Sequence, residues 1–231
     1  MPAAQFRCTA NFEREAKNQG FRCVAGLDEA GRGSLFGPVF AAAVILSPDR
    51  PIRGLNDSKL LEPERREELA KLIRERAAAW AVAVADAIEI DRINIYQASR
   101  LAMKRAVEQL TVRADFLLVD ALKIDFPAPQ RSLIHGDARC RSIAAASILA
   151  KVHRDECMRD WDRVFPQYGF ARHKGYATPE HGKALEMYGP TTFHRFSYEP
   201  VRASCKMFPA AMPPDRMDGQ LGLWDDLELC R

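Results

Sequence analysis

The chain has 231 residues, 47% of them hydrophobic, which is enough to bury the core of one domain or of one domain with an appendage. Residues 1–20 are polar and lack the apolar core of a signal peptide, and no stretch approaches the roughly 20 apolar residues of a membrane span, so secretion and membrane insertion are set aside and a cytoplasmic location is expected. The net charge is +3, but residues 215–231 hold five acids and two bases, leaving +6 on residues 1–214; a body of that charge permits a polyanionic partner without requiring one.

Residues 1–21 read as a loose end or short helix ahead of the first strand. Cys23 to Leu27 is a short apolar run that stops at Asp28-Glu29 and a glycine-rich turn, Ala30 to Gly33. Val39 to Leu46 is a second apolar run ended by Ser47-Pro48, and the two together predict a hairpin. Pro63 opens a charged helix to about Ala79, with Leu69, Leu72 and Ile73 as its apolar stripe. Trp80, Val82, Val84, Ile88 and Ile90 then alternate with other residues, which is strand periodicity. Asp91 is a candidate cap for a helix through Leu110. Phe116 to Val119 reads as a buried strand ending at Asp120. Ser142 is a candidate cap for an alanine-rich helix through about Trp161. This order predicts an α/β fold, a mixed sheet flanked by helices, with a helical or irregular C-terminal extension. From Met207 onward, prolines and glycines without periodicity predict a flexible tail, so the expected division is 1–21, 22–206 and 207–231.

Six cysteines are scattered without a C-x-x-C pair, so neither a disulfide framework nor a zinc ribbon is signalled. His153 and Cys157 are four apart, but two isolated ligands make a poor zinc site. The chemistry concentrates elsewhere. Asp28-Glu29 and Asp120 each end an apolar strand-like run, and Asp137 follows His135-Gly136 just before the alanine-rich helix. Each Asp alone reads equally as a turn or cap residue. Together, at strand ends where α/β sites assemble, four carboxylates would repel one another unless a cation compensates. Oxygen-only ligands favour Mg²⁺ or Mn²⁺, and a pair of such ions about 3.5–4 Å apart can drive an in-line displacement at a phosphodiester. Gly31-Arg32-Gly33 with Gly37 could also be a dinucleotide-binding turn, but that fingerprint must open a helix, and Pro38, Val39 and Phe40 predict a strand.

Several blocks, in order and spacing, resemble bacterial ribonuclease HII, the type 2 ribonuclease H family. They are Asp28-Glu29-Ala30-Gly31-Arg32-Gly33, Gly37-Pro38-Val39, Asn56-Asp57-Ser58-Lys59-Leu60, Val119-Asp120, Gly136-Asp137, Ala144 to Val152 with Arg154-Asp155, and His173-Lys174-Gly175-Tyr176. The resemblance spans about residues 22–200 and implies a ribonuclease H-like fold. It implies that Asp28, Glu29, Asp120 and Asp137 bind Mg²⁺ or Mn²⁺, that Gly31, Arg32, Gly33 and Tyr176 recognise the 2′-hydroxyl beside the scissile bond, and that Lys59 contacts substrate, with Lys151 and Lys174 as weaker candidates. The expected substrates are RNA/DNA hybrid and duplex DNA containing ribonucleotides. Ser34-Leu35-Phe36 departs from the family's usual proline and alanine, which predicts altered local packing. His135, His181 and His194 have no acid or nucleophile at a diagnostic spacing.

In the tail, Gln220-Leu221-Gly222-Leu223-Trp224 resembles the peptide by which bacterial replication and repair proteins dock onto the sliding clamp. Gln220, Leu221, Leu223 and Trp224 are therefore candidate partner-binding residues; the alternative is an amphipathic turn packed on the body. Two competing functions remain. A non-catalytic hybrid-binding or clamp-associated adaptor predicts a lost site carboxylate, and a DNA-junction nuclease or transposase gives no reason for the glycine-arginine-glycine turn.

Overall fold

The computed structural model describes residues 6–208. A five-stranded sheet organises it, in the order β3-β2-β1-β4-β5. The strands are β1 (Val24–Ala30), β2 (Val39–Ile45), β3 (Ala79–Ala85), β4 (Phe116–Asp120) and β5 (Gln130–Leu133). β1 pairs antiparallel with β2 and parallel with β4, and β4 is parallel to β5, so the sheet is mixed as expected. β2 is buried along its whole length, which is why its sequence, VFAAAVI, is continuously apolar, whereas β3 alternates buried and half-buried positions.

The helices are α1 (Asn11–Asn18), α2 (Pro63–Arg76), α3 (Ala87–Glu108), α4 (Gly136–Arg139), α5 (Arg141–Val164), α6 (Phe170–His173), α7 (Pro179–Tyr188) and α8 (Glu199–Ser204). Alanines at 144, 145, 146 and 150 let α5 pack close against the sheet, with Ala42 and Val44 of β2 in the same core cluster. The approach at β1 is closer still: a Cβ on Gly26 would lie 2.1 Å from the Ser142 carbonyl carbon and 2.3 Å from the Ile143 nitrogen, so only glycine fits.

Some local expectations are corrected. Ile88 and Ile90 continue the period-two pattern in sequence but belong to α3, because Asp86 and Glu89 form a reciprocal capping box. Asp86 Oδ1 accepts the Glu89 N–H at 2.7 Å, and Glu89 Oε2 accepts the Asp86 N–H at 3.0 Å. Asp91 is therefore inside the helix and is not its cap; its carboxylate accepts the backbone N–H groups of Phe196 and Ser197. α3 is broken at Asn94 (φ 65°), whose side chain accepts the Gln97 N–H at 3.1 Å and so caps the second half. Ser142 is likewise buried within α5, and a distant residue caps that helix: Glu13 Oε1 accepts the Ser142 N–H at 2.7 Å. β5 has no apolar run in sequence, because its residues are mostly exposed or half-buried at the sheet edge.

The described chain divides into two compact units, one of residues 6–30, 40–84 and 99–153, the other of residues 31–39, 85–98 and 154–208. The first contains nearly all of the sheet. The second is built on aromatic packing, with the Phe36 and Phe170 rings stacked at 3.9 Å and Trp161 and Phe193 at 4.4 Å. Among the described residues no helix is long and apolar enough to cross a membrane.

Candidate active site

Within the first unit, parallel pairing of β1 and β4 matches Leu27 with Val119, so Asp28 and Asp120 are the next residues of two adjacent strands at their carboxyl ends. Asp28 is 4% exposed, and its Oδ1 accepts the Glu29 N–H at 2.7 Å. Asp137 lies on α4 and is also buried. The peptide preceding it ties the two acids together, because the Gly136 N–H donates to Asp120 Oδ1 at 2.7 Å. Lys59, in a short 3-10 turn capped by Asp57, brings its Nζ to 3.4 Å from Asp137 Oδ2.

The electrostatics show that these groups feel one another. Burial, then the charges of Glu29, Asp120 and Asp137, hold the Asp28 carboxyl well above the usual carboxylate range, while a hydrogen bond from Ser147 opposes the shift. Asp120 is raised by burial and by Asp137, against the lowering effect of the Gly136 N–H and Lys59. Burial lowers Lys59, but Asp57, Asp137 and Asp28 more than compensate and raise it. Strand register and the Gly136 N–H thus bring Asp28, Asp120 and the peptide before Asp137 together, with Glu29 next to Asp28. Among the described residues no three His, Cys, Asp or Glu side chains form a ready-made ion cage; the fit to a divalent cation rests on donor chemistry, hard oxygens whose mutual repulsion a cation relieves.

Sequence reading missed Ser147 and Ser58. Their hydroxyls are 2.8 Å apart, both buried, and Ser147 bonds Asp28. Both stand in recognisable blocks, but a serine carries no signal of its own without the partner it meets.

The predicted recognition residues gather within the second unit. Gly31 has φ +97°, and a Cβ there would sit 2.1 Å from Arg154 Nε, so the turn excludes any side chain at this point. Ser34 bridges Tyr176 in antiparallel fashion. The Arg154 guanidinium lies 5.0 Å from the Tyr176 ring centroid and donates through Nη2 to Ser34 Oγ and the Lys174 carbonyl, both at 2.7 Å. Arg195 Nη1 donates to the Arg32 carbonyl at 2.8 Å and Nε to that of Gly37 at 2.9 Å. Two fully buried arginines therefore brace the turn from inside. Arg32 and Gly33 are exposed, and the Lys174 ammonium is engaged with the Ala171 carbonyl. The strand that follows at Val39 removes the dinucleotide-turn reading.

Residues 25–201 match the sequence profile of ribonuclease HII. The chain belongs to the ribonuclease HII family. It is similar to the ribonuclease HII of Solibacter usitatus (strain Ellin6076), with 64% identity over 221 residues, covering 96% of this chain and 94% of that one. In fold it is similar to the ribonuclease HII of the PCNA complex from Archaeoglobus fulgidus, at a TM-score of 0.66 and 25% identity, covering 77% of this chain and 96% of that one. Bst-RNase HIII, solved in complex with Mn²⁺, shares the fold at a TM-score of 0.63 and 18% identity, covering 80% of this chain and 70% of that one. Membership makes the chain a ribonuclease H enzyme, and with all four acids present the adaptor reading loses the lost carboxylate that it required. Gln220, Leu221, Leu223 and Trp224 lie outside the described residues.

Proposed function

We propose that this ribonuclease hydrolyses the RNA strand of RNA/DNA hybrids and cuts at ribonucleotides embedded in duplex DNA, leaving 5′-phosphate and 3′-hydroxyl ends. What supports the reading is the placement of Asp28 and Asp120 one residue beyond the paired Leu27 and Val119 of β1 and β4, with the Gly136 N–H tying Asp120 to the peptide before Asp137 and Glu29 next to Asp28. Asp28, Glu29, Asp120 and Asp137 would hold two Mg²⁺ or Mn²⁺ ions. When bound, such ions polarise the phosphodiester, lower the pKa of a water nucleophile and stabilise the departing 3′-oxygen.

The protein's own groups do the rest. The Gly136 N–H holds Asp120 in one orientation, and the Ser147 hydroxyl does the same for Asp28. Lys59 supplies a cation beside the cluster for a phosphate oxygen. Gly31, Arg32, Gly33 and Tyr176 read the ribose 2′-hydroxyl, the one group that separates RNA from DNA at a given position. Asp120→Asn tests the assignment. Cleavage of a duplex with one embedded ribonucleotide should fall by more than about a hundredfold, the upper range for outer-shell partners alone; near-parental cleavage would sink the reading.

In the same proposal, residues 22–206 form the catalytic domain, residues 1–21 an N-terminal segment and residues 207–231 a tail. Gln220, Leu221, Leu223 and Trp224 anchor the enzyme to the bacterial sliding clamp during replication and repair in the cytoplasm. Support comes from the tail's motif and from the Archaeoglobus neighbour, which was solved with PCNA.

A further inference from the structure

Far along the chain from the carboxylates, the second unit buries a pair of histidines that the chemistry above does not use. His181, on α7, and His194, in the segment beyond it, are both 0% exposed, and their Nε2 atoms stand 3.1 Å apart. A neutral imidazole has one N–H and one acceptor nitrogen, so the partners at the two outer ends decide the proton positions. The Thr191 backbone N–H points at His194 Nδ1 at 3.0 Å, so that nitrogen accepts and His194 Nε2 carries the proton. At the other end, His181 Nδ1 lies 3.0 Å from the Tyr176 carbonyl oxygen, which can only accept, so Nδ1 donates and Nε2 accepts. Both ends give the same direction. Thr191 donates to His194, His194 to His181, and His181 to the main chain of Tyr176.

The chain at Tyr176 needs such a tie. Lys174 and Gly175 both have positive φ, 52° and 74°, and a left-handed lysine is held only where its surroundings impose it. The Tyr176 carbonyl also accepts the Thr178 N–H at 2.8 Å, so the two donors together define the peptide plane that follows the tyrosine. Burial brings the His181 imidazole down to about 4, with the His173 ring stacked on it at 4.7 Å acting in the same sense, which keeps His181 in the neutral form this direction demands.

We propose that His194 and His181 are positioning residues for ribose recognition: the ordered relay sets the main chain at Tyr176 and thereby the aim of its side chain at the 2′-hydroxyl. The inference rests on the reading of Tyr176 as a ribose contact, and its test separates the two. The enzyme, Tyr176→Phe, His181→Phe, His181→Asn and the double variant Tyr176→Phe/His181→Phe are compared on a duplex with one ribonucleotide and on the all-DNA duplex of the same sequence. Cleavage is followed with Mg²⁺, and affinity for both duplexes is measured without divalent metal; the affinity ratio reads ribose discrimination.

His181→Phe keeps a ring but removes both bonds, and should lower kcat/KM and the affinity ratio by roughly tenfold, the loss expected of one misdirected hydrogen bond. His181→Asn keeps an amide N–H near the place of Nδ1 and should restore most of the discrimination. In the Tyr176→Phe background, His181→Phe should add less than about twofold. Multiplying losses in the double variant, or parental discrimination by folded His181→Phe, would overturn the relay. Should His181→Phe fail to fold, His194→Phe, which removes the donor to His181 and leaves His181 itself in place, decides, with weakened discrimination supporting the relay and parental discrimination ending it. Full discrimination by Tyr176→Phe would remove the reading of the tyrosine itself, and the relay's role with it.

Discussion

Asp28 is buried near the carboxyl end of β1 with three other carboxylates acting on it, so its charge is held against burial and repulsion together. Its pKa is raised in the folded state, which means that the fold binds this proton more tightly than the unfolded chain does. Stability from this group is therefore greatest below the ordinary carboxylate pKa near 4 and declines as pH rises toward the raised folded value. Without divalent metal, thermal unfolding should show that decline, and added Mg²⁺ should reduce it. Asp28→Asn, which removes the charge and keeps the shape, should raise the metal-free Tm at pH 7 by at least about 2–4 °C, near 1 kcal/mol at this chain length, while abolishing cleavage. A lower Tm in the variant would contradict the repulsion.

Gly31 is a second residue-scale case, because the space for its Cβ is filled by the Arg154 guanidinium. Gly31→Ala must either displace a fully buried arginine or distort the turn at φ +97°. A loss of more than about 1–3 kcal/mol in stability is expected, together with weaker binding of ribonucleotide duplex. Denaturant unfolding and a duplex titration would check both.

Among the elements, the β1–β2 hairpin, α2 and β4 were legible because each is a local apolar pattern bounded by turn residues. β3 was legible as a strand but not in its length, since the alternation runs past Ala85 into α3. The capping box of Asp86 and Glu89 was present in the sequence and is the signal that would have ended the strand. β5 and the true cap of α5 had no such local sign. Glu13 accepts both the Ser142 N–H and the Cys140 thiol, 3.3 Å from its Oε1, from the distant helix α1. Glu13→Ala should therefore cost about 1–3 kcal/mol, the range for a buried partner left unsatisfied, and a denaturant midpoint equal to the parent's would refute this cap. The same mutation at the exposed Glu15 of α1, paired with Arg131 at the surface, should change stability by less than about 1 kcal/mol.

For the whole molecule, the proposed division of labour is between a body that cuts and a tail that binds the sliding clamp. Deleting residues 220–231 should abolish binding to the bacterial clamp in a pull-down or by surface plasmon resonance, and leave cleavage of short duplexes unchanged. Equal clamp affinity in the truncated chain would remove that role. Residues 220–231 hold three acids and one base, a net −2, so this truncation leaves a more basic enzyme whose duplex affinity should fall more steeply with salt.

Residue identity and short-range pattern singled out four acids, at the ends of apolar runs and before a helix, whose hard oxygens suit divalent cations. Both are local properties, and they survive without knowledge of the fold. Only the tertiary structure decided which serine steadies Asp28, which arginines support the glycine turn, which glutamate caps α5, and which way protons point between His181 and His194. Hydrogen bonds between residues distant in sequence have no period and no spacing to read; their partners exist only once the chain has folded.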